Sequence, residues 1–155
     1  MIGDKIMRVI VQRVRESHVT IEGKVNGKIN QGFMILVGFC DGDSQEIIDK
    51  MIDKIIHLRV FEDENGKMNL SLLDVQGSIL SISQFTLYAD CKKGRRPSFI
   101  QAAKPNVAIP LYDYFNGEVS KKGVHIETGI FGGDMKVSLL NDGPVTIFLD
   151  SHELF

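Results

Sequence analysis

The apolar run Phe33-Met-Ile-Leu-Val-Gly-Phe-Cys40 constrains this chain more than any other segment. It is far too short to span a bilayer and shows no polar alternation, so it predicts a strand buried on both faces. Around it lie shorter, alternating strands. Met7 to Arg15 is rich in β-branched residues, with Val9, Val11 and Arg13 on one parity. "HVTIE" and "GKIN", split around Gly23 and Asn26-Gly27, predict a hairpin. "SILSISQFTLYA" predicts a strand from about Ile79 to Ala89, and "VHIET", "MKVSLL" and "PVTIFL" predict three closing strands.

Two helices complete the reading. Asp43 with Glu46 resembles a capping box, and Ile47, Ile48, Met51, Ile52, Ile55 and Ile56 recur at helical spacing. A second helix is expected from about Val107 to Lys121, with Pro110 either in its first turn or kinking it. Strands and helices do not alternate as βαβ units. The predicted fold is therefore α+β: a curved, largely antiparallel sheet or barrel with two packed helices. At 155 residues the chain reads as one domain, residues 7–155. Residues 1–6, ahead of the second methionine, read as a disordered extension.

A net charge of −2 gives no single-signed field, so any RNA contact must rest on a local patch. Two cysteines without a CxxC, and no signal-peptide pattern, point to the cytoplasm and away from a membrane. His18, His57, His125 and His152 lack metal-ligand spacing, so no metal is expected. No GxSxG elbow, P-loop or GxGxxG is present.

Four stretches carry alternatives. "SQFTLYA" places Ser83, Gln84 and Thr86 in an otherwise apolar segment, either as a polar strand face or as a site. "KKGRRPSF" is a solvated loop or a phosphate contact. "TGIFGGDM" is a turn that packs Phe131 into the core, or a base-stacking pocket of Phe131 and Met135. "NDGPVT" is turn chemistry before a strand, unless the Gly143–Pro144 carbonyls have a task of their own.

In order and spacing, "MRVIVQRV", "GKMNLSL", "SQFTL", "RRPSF", "LYDYF", "TGIFGGDM" and "NDGPVT" resemble the D-aminoacyl-tRNA deacylase family, from Met7 to about Leu149. The resemblance implies hydrolysis of the ester between a D-amino acid, or glycine, and the terminal adenosine of tRNA, without a cofactor. It implies that Ser83, Gln84, Phe85 and Thr86 wall the scissile ester, and that Phe131, Gly132 and Met135 hold the adenine. More weakly, it assigns Lys92, Lys93, Arg95 and Arg96 to tRNA phosphates and Arg13 to support of the Gly-Pro motif. It further implies a homodimer in which a cis Gly143–Pro144 reaches into the partner's site and excludes L-amino acids. No Ser-His-Asp or Cys-His set is evident, and the resemblance implies that the tRNA 2′-hydroxyl activates water while backbone N–H groups near Phe85 and Thr86 stabilise the oxyanion. A non-catalytic RNA-binding module and an esterase acting through Thr86 are the competing readings.

Overall fold

The organising element is β1, a single 14-residue strand from Arg8 to Ile21 where the sequence suggested two. The computed structural model describes residues 7–155, so the N-terminal extension lies outside the described residues. Along one side β1 pairs antiparallel with β8 (Met135–Asp150). Along the other, its first half pairs with β3 (Gly32–Gly38) and its second half with β2 (Lys24–Ile29). Beyond β3 come β6 (Ser78–Ser83) and then β7 (Ile126–Thr128). The sheet curls until β2 meets β7: Asn26 Nδ2 donates to the Thr128 carbonyl at 2.8 Å, leaving the barrel nearly closed.

The sheet is largely antiparallel, as expected, through the pairings of β1 with β2, β3 and β8, but those of β3 with β6 and of β6 with β7 are parallel. Each parallel pairing is bridged by a helix crossover, α1 (Gln45–His57) and α2 (Pro105–Lys121). These βαβ units were hidden in the sequence because other elements interrupt them. The small hairpin of β4 (Phe61–Glu62) and β5 (Met68–Leu70) separates α1 from β6. A long irregular segment separates β6 from α2.

The apolar run behaves as expected. Phe33 and Ile35 face a core shared with Ile48, Met51, Ile52, Ile55 and Ile56 of α1 and Phe115 of α2. Met34, between them, faces a second core with Val14, Val19, Ile29, Leu80 and Ile82 inside the curl. Full burial of each such side chain is worth about 1.5–3 kcal/mol, so the isoleucine face fixes α1 on the sheet. The cap of α1 is Ser44, whose side chain accepts from Ile47 N at 3.3 Å, not Asp43. Asp43 instead accepts from Cys40 N at 2.7 Å, closing the turn that leaves β3.

α2 starts at Pro105, where a missing N–H costs nothing, two residues before the expected start. Pro110 is therefore the sixth helical residue, past the first turn, and its ring nitrogen cannot donate to the Asn106 carbonyl.

The closing strands "MKVSLL" and "PVTIFL" are one strand, β8, and "NDGPVT" is a bulge within it rather than a hairpin turn. Gln12 pairs with Thr146 and Val14 with Asn141, so Asp142, Gly143, Pro144 and Val145 oppose Arg13 alone. The bulge accompanies a change of face. Val145, Ile147 and Leu149 belong to the helix-covered core, whereas Met135, Val137 and Leu139 belong to the inner one.

Candidate active site

β6 stops at Ser83, and the chain then enters a 3₁₀ turn from Phe85 to Tyr88, not the continuous strand to Ala89 read from the sequence. Two anchors impose the turn. Gln84 N donates to the Val37 carbonyl at 2.8 Å, and the buried Tyr88 hydroxyl donates to the Gly38 carbonyl at 3.0 Å. A Cβ at position 38 would lie 2.9 Å from the Tyr88 ring and 3.0 Å from the Gln84 carbonyl, so only glycine lets the turn settle on β3.

The turn leaves donors at its start. The amide N–H groups of Phe85 and Thr86 have no acceptor among the described residues, as the first positions of any helical turn do. Gln84 Nε2 donates to Thr86 Oγ1 at 2.5 Å, so the threonine hydroxyl faces an amide and not a base. At the other end, Arg8 Nη1 donates to the Leu87 carbonyl at 2.9 Å, and its guanidinium lies 4.9 Å from the Tyr88 ring centroid. Asp150, 3.4 Å from Arg8 Nε, holds that guanidinium in place. Nothing in the sequence marked Arg8, because the contact joins the first strand to a turn of a different sheet region.

Ser83, Gln84 and Phe85 form one wall of a cleft of about 310 Å³; Phe131, Gly132 and Met135 form another. Val37, Gly38 and Phe39 close one end. Two stretches that the sequence analysis singled out separately therefore meet, while Thr86 sits just outside the lining. Phe131 has two environments. It packs beside Tyr112, with ring centroids 6.2 Å apart, and also lines the cleft. Met135 lies against the bare Cα of Gly129, where a Cβ would collide with its sulfur.

Among the described residues the only ionisable side chain lining this cleft is that of Asp134. Two phenols stand nearby beneath its walls, Tyr88 under the turn and Tyr112, which donates to the Ser81 carbonyl at 2.7 Å. Burial raises both above the ordinary phenol range, so neither is a base near neutrality. Among the described residues no group of His, Cys, Asp and Glu is arranged to hold a metal ion. The cleft offers backbone donors, an amide and an aromatic surface, but no acid–base pair.

Phe85 is 55% exposed and meets Phe99 edge-on, with centroids 5.1 Å apart. Phe99 ends the loop that carries Lys92, Lys93, Arg95 and Arg96, all exposed and none in an ion pair among the described residues. Paired backbone bonds between Asp90 and Ser98, 2.8 and 2.9 Å, pinch the base of this loop. The basic patch is thus local, as a net charge of −2 required, and it joins the cleft through the Phe85–Phe99 contact.

Gly143 and Pro144 are exposed at the tip of the β8 bulge and do not line the cleft. The peptide bond between them is cis. Arg13, 5% exposed as its parity with Val9 and Val11 implied, holds the bulge from below. Its Nε donates to the Asp142 carbonyl at 2.9 Å and its Nη1 to the Val60 carbonyl at 2.6 Å. Asn141 and Thr146, which the sequence reading left without a role, tie the neck. Asn141 Nδ2 donates to Thr146 Oγ1 at 3.1 Å, and Asn141 Oδ1 accepts from Val145 N at 3.1 Å. Gly143 has φ of +133°, and a Cβ there would lie 3.0 Å from Arg13 Nη2, so no other residue fits above the guanidinium.

These features define a class: a curled α+β domain whose cleft presents backbone and aromatic groups beside a basic loop. Comparison with known proteins narrows it. Residues 10–150 match the family model described as D-Tyr-tRNA(Tyr) deacylase. The D-aminoacyl-tRNA deacylase of Thermus aquaticus is 56% identical over 147 residues, covering 95% of this chain and 97% of that protein. That of Bacillus pumilus is 57% identical, covering 95% and 100%. A solved structure titled c-Myc DNA Unwinding Element Binding Protein superposes with a TM-score of 0.86 at 40% identity, covering 92% of this chain and 97% of its own. A probable eukaryotic D-amino acid tRNA deacylase shares the fold, with a TM-score of 0.80 at 22% identity over 94% and 99%. The chain belongs to the D-aminoacyl-tRNA deacylase family and is an enzyme of that family.

Proposed function

We propose that this chain hydrolyses the ester of D-aminoacyl-tRNA, and of glycyl-tRNA, releasing free tRNA and the amino acid as a step of chiral proofreading in the cytoplasm. The observation that carries the reading is the convergence of Ser83–Phe85 with Phe131–Met135 on one cleft that has no acid–base pair. Ester cleavage needs an attacking oxygen and a stabiliser for the oxyanion. The free N–H groups of Phe85 and Thr86 serve as that stabiliser, and the tRNA 2′-hydroxyl beside the ester activates water. The terminal adenine rests against Phe131, Gly132 and Met135. The Gln84 amide on Thr86 Oγ1 weighs against an esterase acting through Thr86, since an amide cannot take the hydroxyl proton.

The working unit is a homodimer. β8 is an edge strand along the whole of its outer side, and it exposes Leu140 and Phe148, each 54% accessible. A long, partly apolar edge of this kind favours pairing with another chain. The Gly143–Pro144 tip, held rigidly by Arg13 and Asn141 outside its own cleft, then reaches the partner's cleft. Its carbonyls sit against the substrate α-carbon, leaving room for hydrogen but not for a side chain. L-substrates are excluded by repulsion, and glycine, with nothing to exclude, is accepted.

Assaying D-aminoacyl-tRNA, glycyl-tRNA, L-alanyl-tRNA, free D-amino-acid esters and uncharged tRNA side by side tests the reading. Hydrolysis of the first two alone is expected. Cleavage of free esters would establish the small-molecule esterase, and tRNA binding without hydrolysis the non-catalytic module.

A further inference from the structure

Beside the cleft lies an apolar surface that the chemistry above does not use. Ile100 is 90% exposed, an extreme value for an isoleucine, and follows directly on Phe99. Phe99 supports the exposed ring of Phe85 edge-on at 5.1 Å. Phe85 lines the cleft, and Phe99 and Ile100 follow in the chain on the loop of Lys92, Lys93, Arg95 and Arg96, whose cations have no ion-pair partner among the described residues. An apolar shelf next to unneutralised cations is the combination that single-stranded nucleic acid requires, because bases stack on rings while phosphates meet charge. Neither element alone would point to a strand of RNA; their adjacency does, and the shelf is continuous with the cleft.

We propose that Phe99 and Ile100, with the outer face of Phe85, form a shelf that seats the base of the unpaired nucleotide immediately 5′ of the terminal adenosine. This rests on the cleft holding that adenosine. The exit direction follows from charge: a chain leaving the Phe131 pocket past Phe85 passes four cations with no ion-pair partner among the described residues, whereas at the Asp134 rim the cation Lys136 is already neutralised by Asp134 at 2.9 Å. Binding energy collected there is remote from the reacting bond, so it serves to orient the ester and to discriminate aminoacyl-tRNA from aminoacyl-adenosine.

A binding cycle tests this without depending on hydrolysis. The probe is an uncharged acceptor-stem hairpin with an unpaired 3′ end, in its natural form and with the penultimate nucleotide made abasic. The parent protein should bind the abasic probe about tenfold more weakly. Phe99→Ala and Ile100→Ser should bind the natural probe about tenfold more weakly than the parent does, and should not distinguish the two probes. Additive losses, or no loss in the parent, would overturn the proposal. So would a change in oligomeric state with Ile100→Ser, which would make the shelf a subunit contact. Ile100→Ser serves as the second variant because a side chain so exposed contributes nothing to the core. If these binding results hold but D-aminoacyl-tRNA is not hydrolysed, the proposed reaction fails while the shelf stands.

Discussion

Arg13→Lys keeps the charge of a buried side chain and removes its fork, which makes it the sharpest probe of the bulge. Arg13 reaches two carbonyls on different elements, Asp142 at 2.9 Å and Val60 at 2.6 Å, through two nitrogens of one rigid plane. A lysine ammonium is a single point and can satisfy one of them. The other charge-assisted bond, worth about 1.5–3 kcal/mol, is then lost. For a chain of this size each kcal/mol moves Tm by roughly 2–4 °C, so the fall should be roughly 3–12 °C, read at one fixed protein concentration because the proposed dimer would shift Tm by mass action. The functional readout is chirality. A bulge released from Asp142 lets Gly143–Pro144 retreat, and L-alanyl-tRNA hydrolysis should rise above background while D-aminoacyl-tRNA hydrolysis falls by less. A lysine variant with Tm within about 1 °C of the parent and unchanged rejection of L-alanyl-tRNA would refute the reasoning.

Thr86→Ala should lose on the order of tenfold or less in rate, about 1.4 kcal/mol, whereas a 2′-deoxy terminal adenosine should lose far more; a trapped acyl-Thr86 would reverse that order of importance. Neutralising Lys92, Lys93, Arg95 and Arg96 together should weaken tRNA binding and flatten its salt dependence without altering the preference for D-substrates, as read from titrations at several salt concentrations. Arg8→Met should lower kcat by about tenfold with KM little changed, since it frees the end of the 3₁₀ turn that carries the proposed oxyanion donors; an unchanged kcat would show that the turn needs no such support.

The location of strands was legible in the sequence because β-branched, alternating runs name themselves; their continuity was not. β1 and β8 each read as two strands, since residues that usually signal a turn, Asp142-Gly143-Pro144 above all, were spent on a bulge. The same local bias extended β6 through Thr86, where burial of Tyr88 against Gly38 overrides strand propensity. Parallel pairing was invisible because it depends on crossovers through α1 and α2, which no short window spans. Of the site, the motif stretches could be picked out, and the buried parity of Arg13 was correct. That Ser83–Phe85 and Phe131–Met135 share a cleft is a fact of topology alone. Arg8 and Phe99 became significant only through their contacts with the turn at Phe85–Tyr88, and Asn141 only through closing the neck of the bulge.

The bulge at Asp142–Val145 also governs how the sequence of this protein is free to drift. Because β8 passes there from one core to the other, the number of residues between Asn141 and Thr146 sets which side chains of an entire half-strand point inward. Losing or gaining one residue would turn Met135, Val137 and Leu139 toward solvent and their polar neighbours inward, a penalty levied on folding before any effect on substrate choice is felt. Length at the Gly143–Pro144 tip is therefore policed by packing, and variation there is confined to substitution. The fold itself rejects miscounted copies of this segment.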